Sequence, residues 1–154
     1  MINFKTIIRI IGILLLLETV MLLACSAISY YYNDEALLDF WKSAGITAGA
    51  GLLMAIAGKG GEKQLTRRDG YVLVSLAWVA FSLFGMLPFY ISGYVPDITN
   101  AFFETMSGFT STGATVLDNI ESLPHGLLFW RGMTQWIGGL GIIMFTIAVL
   151  PIFG

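Results

Sequence analysis

The sequence predicts an all-α membrane protein, with two N-terminal transmembrane helices followed by a unit of two helices joined by a re-entrant loop. The 154 residues are 56% hydrophobic and only 12% charged, with a mean hydropathy of +0.80. Because soluble domains carry about 25% charged residues, most of this surface is expected to face lipid. Four apolar segments then occupy most of the length, which leaves no room for a separate soluble domain.

The four apolar segments are each long enough to cross a bilayer, which requires roughly 20 residues at helical rise. Three tyrosines end the first segment, as expected for aromatic side chains at a membrane interface. A charged, glycine-rich stretch separates the second segment from the third and is predicted to be a loop. The segments are Ile7–Tyr32, Leu37–Ala57, Tyr71–Ile91 and Leu127–Phe153, and the loop is Gly58–Asp69.

Lysine and arginine are distributed unevenly over the two ends of these segments. An excess of lysine and arginine marks the cytoplasmic side of membrane proteins. We therefore predict a cytoplasmic N-terminus. Six basic residues fall at that end, Lys5, Arg9, Lys59, Lys63, Arg67 and Arg68, and two at the other, Lys42 and Arg131.

Acidic residues are predicted to collect at the outer face, where a negative vestibule would raise the local concentration of cations. Asp118 and Glu121 are the vestibule residues nearest the re-entrant loop. The full predicted set is Asp34, Glu35, Asp39, Asp97, Glu104, Asp118 and Glu121.

Small residues and one buried acid are expected to shape helix packing. Glycines permit close approach of membrane helices, and a hinge is the alternative role. Glu18 lies inside the first apolar segment, where an ionisable group is costly. We expect it to make a structural hydrogen bond, with an ion or proton relay as the alternative. The glycines are Gly45 and Gly49 in the second segment and Gly138, Gly139 and Gly141 in the fourth.

The stretch between the third and fourth segments begins with a short predicted helix. Pro88 is expected to end the third helix near Ile91–Tyr94, and either Asp97 or Thr99 can cap the next one. Apolar residues at helical spacing then run from Ile98 to Phe109. A helix of about 10–12 residues is too short to span a membrane and suits a re-entrant segment.

The residues that follow this helix, Thr110–Thr115, are small, hydroxylated and poor helix formers. Irregular backbone at membrane depth is tolerated only where it is buried in protein or lines a watery cavity. Its carbonyls could replace the water shell of a potassium ion, and a glycine permits the backbone angles required. A plain extracellular loop is the alternative interpretation. The candidate ion-binding residues are Thr110, Ser111, Thr112, Gly113 and Ala114.

Two stretches, Ala101–Val116 and Phe129–Ile142, resemble the first pore segment of TrkH-type subunits of the Trk/Ktr/HKT potassium-transport superfamily. The resemblance implies four helix–pore loop–helix repeats around a pseudo-fourfold pore, each donating a filter strand with a central glycine. Gly113 matches that glycine. The resemblance therefore assigns potassium to the backbone of Ser111, Thr112 and Gly113, with Ala114 as a further candidate.

The resemblance also divides the chain and implies its partners. Residues 1–69 correspond to a leading helix pair with its basic loop, and residues 70–154 to the first repeat, so the chain is expected to be part of a longer subunit. The implied partners are potassium, the lipid bilayer, three further repeats, a second transporter subunit and a cytosolic nucleotide-sensing ring. We expect no cofactor and no nucleic-acid partner.

Two other classes of function are weighed against transport. A non-transporting four-helix membrane scaffold is the alternative. An enzyme is not expected, since no nucleophile–base pair or phosphate loop is evident and the single histidine, His125, lacks companions for a metal site.

Overall fold

The computed structural model describes residues 3–61 and 66–149, and over these it contains helices and no strands. This confirms the predicted all-α class. Residues 62–65 of the predicted loop and the end of the last segment, 150–154, lie outside the described residues. The helices are α1 Phe4–Tyr31, α2 Leu37–Ala57, α3 Arg67–Gly85, α4 Leu87–Ile91, α5 Ile98–Phe109 and α6 His125–Val149, with a 3-10 turn at Ile120–Ser122.

Three stretches of the described chain are long and apolar enough to cross a membrane: Phe4–Tyr31, Leu37–Ala57 and Arg68–Ile91. The third combines α3 with α4 and ends at Ile91, as predicted, with a break at Met86 between the two helices. α6 has 25 residues and extends about 37 Å at helical rise, which exceeds the hydrocarbon thickness. The four predicted segments are therefore all helical where they are described.

α1 and α2 form a closely packed antiparallel pair, with close backbone contacts at Gly12 and Gly51. A Cβ atom on Gly12 would lie 2.7 Å from the carbonyl oxygen of Gly51. The prediction that Gly45 and Gly49 form the packing site is wrong for this chain. Both are exposed, and a Cβ atom on either would meet nothing within 4 Å. The buried face of α2 instead carries Phe40, Ser43, Ala44, Thr47 and Gly51.

The third span is interrupted at Met86, between α3 and α4. Pro88 lacks an N–H group and stands in the first turn of α4. Near this break the carbonyl of Gly85 accepts a hydrogen bond of 2.9 Å from the indole Nε1–H of Trp130. The buried Trp130 therefore ties α6 to the third span at the level where α5 packs.

An aromatic cluster fills the space behind the end of α5. Phe109 is buried and stacks on Phe81 with ring centroids 5.3 Å apart. Trp130 meets the same ring edge-on at 6.3 Å, and Trp78 lies tilted at 6.5 Å. Since buried aromatic rings contribute large apolar areas, this cluster holds the end of α5 against both α3 and α6.

The helix pair is fastened to the rest of the chain at both ends. Asp34, in the turn after α1, accepts a 2.9 Å bond from the N–H of Gly126 and lies 3.3 Å from the ring of His125. At the opposite end, the N–H of Asn3 donates to Asp69 over 3.0 Å. Asp69 also completes a capping box with Thr66 at the start of α3.

Glu18 does not make the hydrogen bond predicted for it. Its side chain is 1% exposed, and neither carboxyl oxygen has a partner among the described residues. One oxygen would lie 2.8 Å from a Cβ atom on Gly85, and the same position would meet Thr105 and Phe109. Glu18 is therefore enclosed where α1, α3 and α5 meet, among helices whose backbone donors are already used.

Candidate functional site

The site is built on α5, a helix of 12 residues that is about 18 Å long and hence too short to span a membrane. Asp97 caps it by accepting a 2.9 Å bond from the N–H of Asn100, which decides between the two predicted caps. α5 ends at Phe109, and the chain then becomes irregular. Its partly negative C-terminal end therefore points into the loop that follows.

Two glycines, Gly108 in α5 and Gly138 in α6, allow these helices to pack closely. A Cβ atom on Gly138 would overlap the backbone of Phe109, and one on Gly108 would overlap the hydroxyl of Thr134. The predicted packing role of the α6 glycines is thus confirmed at Gly138, and Gly141 meets the ring of Trp78. Because a Cβ atom would overlap neighbouring atoms at Gly108 and Gly138, these two glycines determine how closely the end of α5 packs on α6.

Residues Thr110–Thr115, which we call the filter loop after its predicted role, have a backbone that alternates in handedness. Ser111 has φ 54° and Gly113 has φ 76°, whereas Thr112 and Ala114 keep negative φ. In an extended strand, successive carbonyl groups point to opposite sides. Reversing the sign of φ at every second residue turns successive carbonyl groups towards the same side. Gly113 adopts its angle without strain, but Ser111 is a non-glycine residue in the left-handed region.

Side chains of α5 and α6 hold this unusual backbone in place. The hydroxyl of Ser107 donates to the carbonyl of Ala114 over 2.6 Å. The carbonyl of Ser107 accepts a hydrogen bond of 3.0 Å from the N–H of Thr112. The hydroxyl of Ser111 donates to the carbonyl of Gln135 in α6 over 3.1 Å. The loop is therefore attached to both helices by polar contacts on one side.

The other side of the filter loop is open. All six residues are exposed. The carbonyl oxygens of Ser111, Thr112 and Gly113 accept no hydrogen bond from the described residues, whereas that of Ala114 is already engaged by Ser107. Three consecutive free carbonyls on a braced strand form an arrangement suited to a cation that exchanges its water shell.

A buried ion pair supports the far end of the loop. Glu104 in α5 is 3% exposed, and one of its oxygens lies 2.7 Å from Nε of Arg131 in α6. Its second oxygen accepts from the hydroxyl of Thr115 at 2.8 Å and from the N–H of Val116 at 3.1 Å. A single carboxylate thus fixes both the ion pair and the strand that leaves the filter loop.

This geometry corrects the predicted charge distribution. Glu104 was grouped with the acidic residues of the outer face, but it is buried behind the filter loop and cannot contribute to a vestibule. Arg131 was counted as an outer-end charge, yet it is neutralised within the chain. Asp118 and Glu121 are exposed on the return segment between the filter loop and α6, as a vestibule requires.

Ser107, Glu104 and Arg131 were not among the predicted site residues. The sequence does carry a signal for them. Glu104 and Ser107 are polar positions on a helix whose other residues are mostly apolar, and Arg131 follows the apolar run Leu127–Trp130. Charged residues of opposite sign in two neighbouring membrane segments are often paired, because an unpaired charge is costly there. Among the described residues, no cluster of three or more histidine, cysteine or acidic side chains could hold a metal ion.

Comparison with known proteins places this arrangement in a family. Residues 40–154 match the family model TrkH, described as a cation transport protein. The chain belongs to the TrkH family. It is 38% identical over 154 residues to the Trk system potassium uptake protein TrkH of Escherichia coli K12, and 37% identical over 153 residues to that of Halomonas elongata. Each alignment covers 99% of this chain.

A solved structure agrees with the fold of this TrkH-family chain. The crystal structure of the potassium transporter TrkH from Vibrio parahaemolyticus matches with a TM-score of 0.90 at 38% identity, over 97% of this chain. The chain spans about a third of the relatives' length, since the matches cover 32% of the two curated proteins and of the crystallised chain. Family membership and the apolar helices place this chain in a membrane and in a family of cation transporters.

Proposed function

We propose that this chain supplies the leading helix pair and the first of four repeats of a potassium-uptake pore. In this proposal the filter loop is one of four filter strands. The observation that carries it is the row of three free carbonyls at Ser111, Thr112 and Gly113, on a backbone that alternates in handedness and is held from behind. The comparisons support the substrate, since the relatives named above are described as potassium uptake proteins.

The proposed mechanism is substitution of hydration by backbone oxygens. A potassium ion loses water as carbonyls from four strands surround it, and the braced geometry keeps these dipoles in position without reorganisation. Thr110 and Ala114 lie at the two ends of the row of three carbonyls. Asp118 and Glu121 lie on the outer return segment and raise the local cation concentration, an effect that weakens as salt screens it.

The exposed surface of the first repeat supports the need for further repeats. Beside the filter loop, large apolar side chains of α5 and α6 are exposed: Phe103, Trp136, Leu140 and Ile143. Lipid would not cover the polar strand well, and water would not cover the apolar side chains well. Neighbouring repeats could contact both surfaces. We propose that residues 1–69 brace the unit formed by residues 70–154 and that three further repeats complete the pore.

The remaining assignments follow from the family and from charge. We propose location in the bacterial inner membrane with the N-terminus in the cytoplasm, since the exposed lysines and arginines gather mainly at that end of the helices. A second transporter subunit and a cytosolic nucleotide-sensing ring are the proposed protein partners. No catalytic residue is proposed, because passage of an ion breaks no covalent bond.

The test is the substitution Gly113→Ser in the full-length subunit. A side chain at φ 76° strains the strand and displaces neighbouring carbonyls, so potassium should be favoured over sodium less strongly than in the wild type. The matched control is Gly93→Ser, because Gly93 has φ 78°, is exposed and lies outside the filter loop. Potassium and sodium fluxes in proteoliposomes measure the ratio.

Two outcomes would count against this function. Unchanged selectivity in Gly113→Ser would remove the filter assignment. Equal loss in Gly93→Ser would mean that strain anywhere in the chain changes selectivity. A non-transporting scaffold, the alternative role, predicts that neither substitution alters flux in the full-length protein.

A further inference from the structure

A cluster of exposed cations lies at one end of the helix pair, far from the filter loop. It comprises Lys5 and Arg9 of α1, Lys59 after α2 and Arg68 of α3, and we call it the basic end. None of the four forms an ion pair with a described acidic side chain. The potassium pathway proposed above makes no use of them.

Close packing holds these cations near one another. A Cβ atom on Gly58 would lie 2.5 Å from both the carbonyl oxygen of Lys5 and the Cβ of Arg9. The first two turns of α1 therefore lie directly against the end of α2, and Lys59 is the next residue along. The 3.0 Å bond from the N–H of Asn3 to Asp69 brings the start of α3, including Arg68, to the same place.

The one described acidic group at this site, Asp69, offsets a single positive charge and makes no ion pair with the four cations. Asp69 is 1% exposed, and its carboxylate is occupied by the N–H groups of Asn3 and Thr66 and the hydroxyl of Thr66. Four exposed cations and one described carboxylate leave the basic end with an excess of three positive charges among the described residues. Such a cluster attracts an anion from its surroundings.

The depth of the cluster identifies the kind of anion. In each of the three helices an exposed apolar side chain lies three residues further into the span than a cation: Ile8 after Lys5, Ile56 before Lys59 and Tyr71 after Arg68. Three residues correspond to about 4.5 Å of helical rise. Because exposed apolar side chains of a membrane helix face acyl chains, Lys5, Lys59 and Arg68 lie at the level of the lipid headgroups. Arg9 lies one residue beyond Ile8, and its long side chain can extend to the phosphate at the same level.

We propose that the basic end binds the phosphate of an anionic glycerophospholipid, with the acyl chains lying along the exposed apolar side chains of α1 and α2. The lipid would join the ends of the three helices. The proposal holds whichever side of the membrane this end faces, and it is independent of potassium selectivity.

The experiment titrates phosphatidylglycerol into the full-length subunit in detergent and counts bound lipid by native mass spectrometry. Phosphatidylcholine and inorganic phosphate serve as the comparison probes. The test variant is the triple substitution Lys5→Ala, Lys59→Ala and Arg68→Ala, and the matched control is Lys42→Ala, an exposed cation at the other end of α2. Lys59→Arg, which keeps the charge, checks that any loss follows charge and not folding.

We expect phosphatidylglycerol to bind more tightly than phosphatidylcholine and the triple variant to bind it more weakly, by about five-fold for each cation removed. Lys42→Ala and Lys59→Arg should bind as the wild type does. The proposal is overturned if the triple variant keeps wild-type affinity, if Lys42→Ala loses as much, or if inorganic phosphate displaces the lipid. A triple variant that does not fold would leave Lys59→Ala alone to decide, with the same expected direction.

Discussion

Glu104 and Glu18 are two glutamates buried almost equally within membrane-embedded helices, at 3% and 1% exposure, but their surroundings differ completely. Both oxygens of Glu104 are engaged, by Arg131, Thr115 and Val116. Neither oxygen of Glu18 has a described partner. Glu104 lies next to irregular backbone, whose N–H groups are free to donate, whereas Glu18 lies among regular helices, whose N–H groups are consumed by the helix itself.

The difference teaches that burial alone does not indicate what an acidic residue does in a membrane protein. A fully partnered carboxylate acts as a structural support, here for the strand that leaves the filter loop. An unpartnered carboxylate in the same core makes no described hydrogen bond, so removing it breaks none. Four substitutions test this comparison, from the largest expected effect to the smallest.

Glu104→Gln should have the largest effect. The change keeps the shape of the side chain but leaves Arg131 without its counter-charge, and breaking a buried pair in this way costs about 3 kcal/mol or more. Thermal unfolding of the purified full-length subunit should show a lower midpoint, and potassium uptake should fall. The double variant with Arg131→Gln should recover part of the stability, because the two positions are coupled.

If Glu104→Gln kept wild-type stability and uptake, Glu104 would not be the structural support that we infer from its contacts. A double variant no more stable than Glu104→Gln alone would show that the ion pair is not the reason for the loss.

Gly138→Ala tests whether the attachment of α5 to α6 keeps Glu104 within reach of its partners. The new methyl group would overlap the backbone of Phe109, and overpacking of this kind costs about 1–3 kcal/mol. Gly139→Ala is the matched control, since its methyl group would lie 3.7 Å from the hydroxyl of Ser111 in ordinary contact. Unfolding midpoints and potassium–sodium selectivity of both variants measure the effect, and equal behaviour of the two would contradict it.

Ser107→Ala isolates one bond of the loop from the ion pair. It removes the donor to the carbonyl of Ala114, a single hydrogen bond that contributes about 1 kcal/mol. We expect a small loss of stability together with a measurable change in selectivity, because the released carbonyl belongs to the filter loop. Thr134→Ser is the control, since it keeps the buried hydroxyl that donates to the carbonyl of Arg131. A loss of stability with unchanged selectivity would confine Ser107 to a structural role.

Glu18→Gln should cause the smallest loss of stability, because no described hydrogen bond or ion pair is removed. Unfolding midpoints of this variant and of Glu104→Gln, measured side by side, give the contrast directly. A loss at Glu18 as large as that at Glu104 would reveal a partner outside the described residues and remove the distinction between the two glutamates.

The glycines show how far a motif can be trusted without a structure. Gly45 and Gly49 have the spacing that often marks helix contacts, yet they are exposed. Gly12 and Gly51 make a close crossing of α1 and α2, although neither lies four residues from another glycine. Small residues permit close approach, but the spacing of two glycines alone does not specify which face of a helix meets a neighbour. Whether Gly45 and Gly49 face lipid or protein in the full-length subunit is a separate question from packing within this chain.

The sequence by itself determined the helical class, the order of the segments, the short re-entrant helix and the position of the filter loop. These depend on local properties: runs of apolar residues, the Asp97 cap and the poor helix propensity of Thr110–Thr115. Only the tertiary structure decided that Ser111 takes a left-handed backbone, that Glu104 supports the loop from behind and that Glu18 has no described partner. These depend on contacts between residues distant in the sequence, such as Glu104 and Arg131, and the hydrophobic pattern of either helix alone does not specify which donor will reach which acceptor.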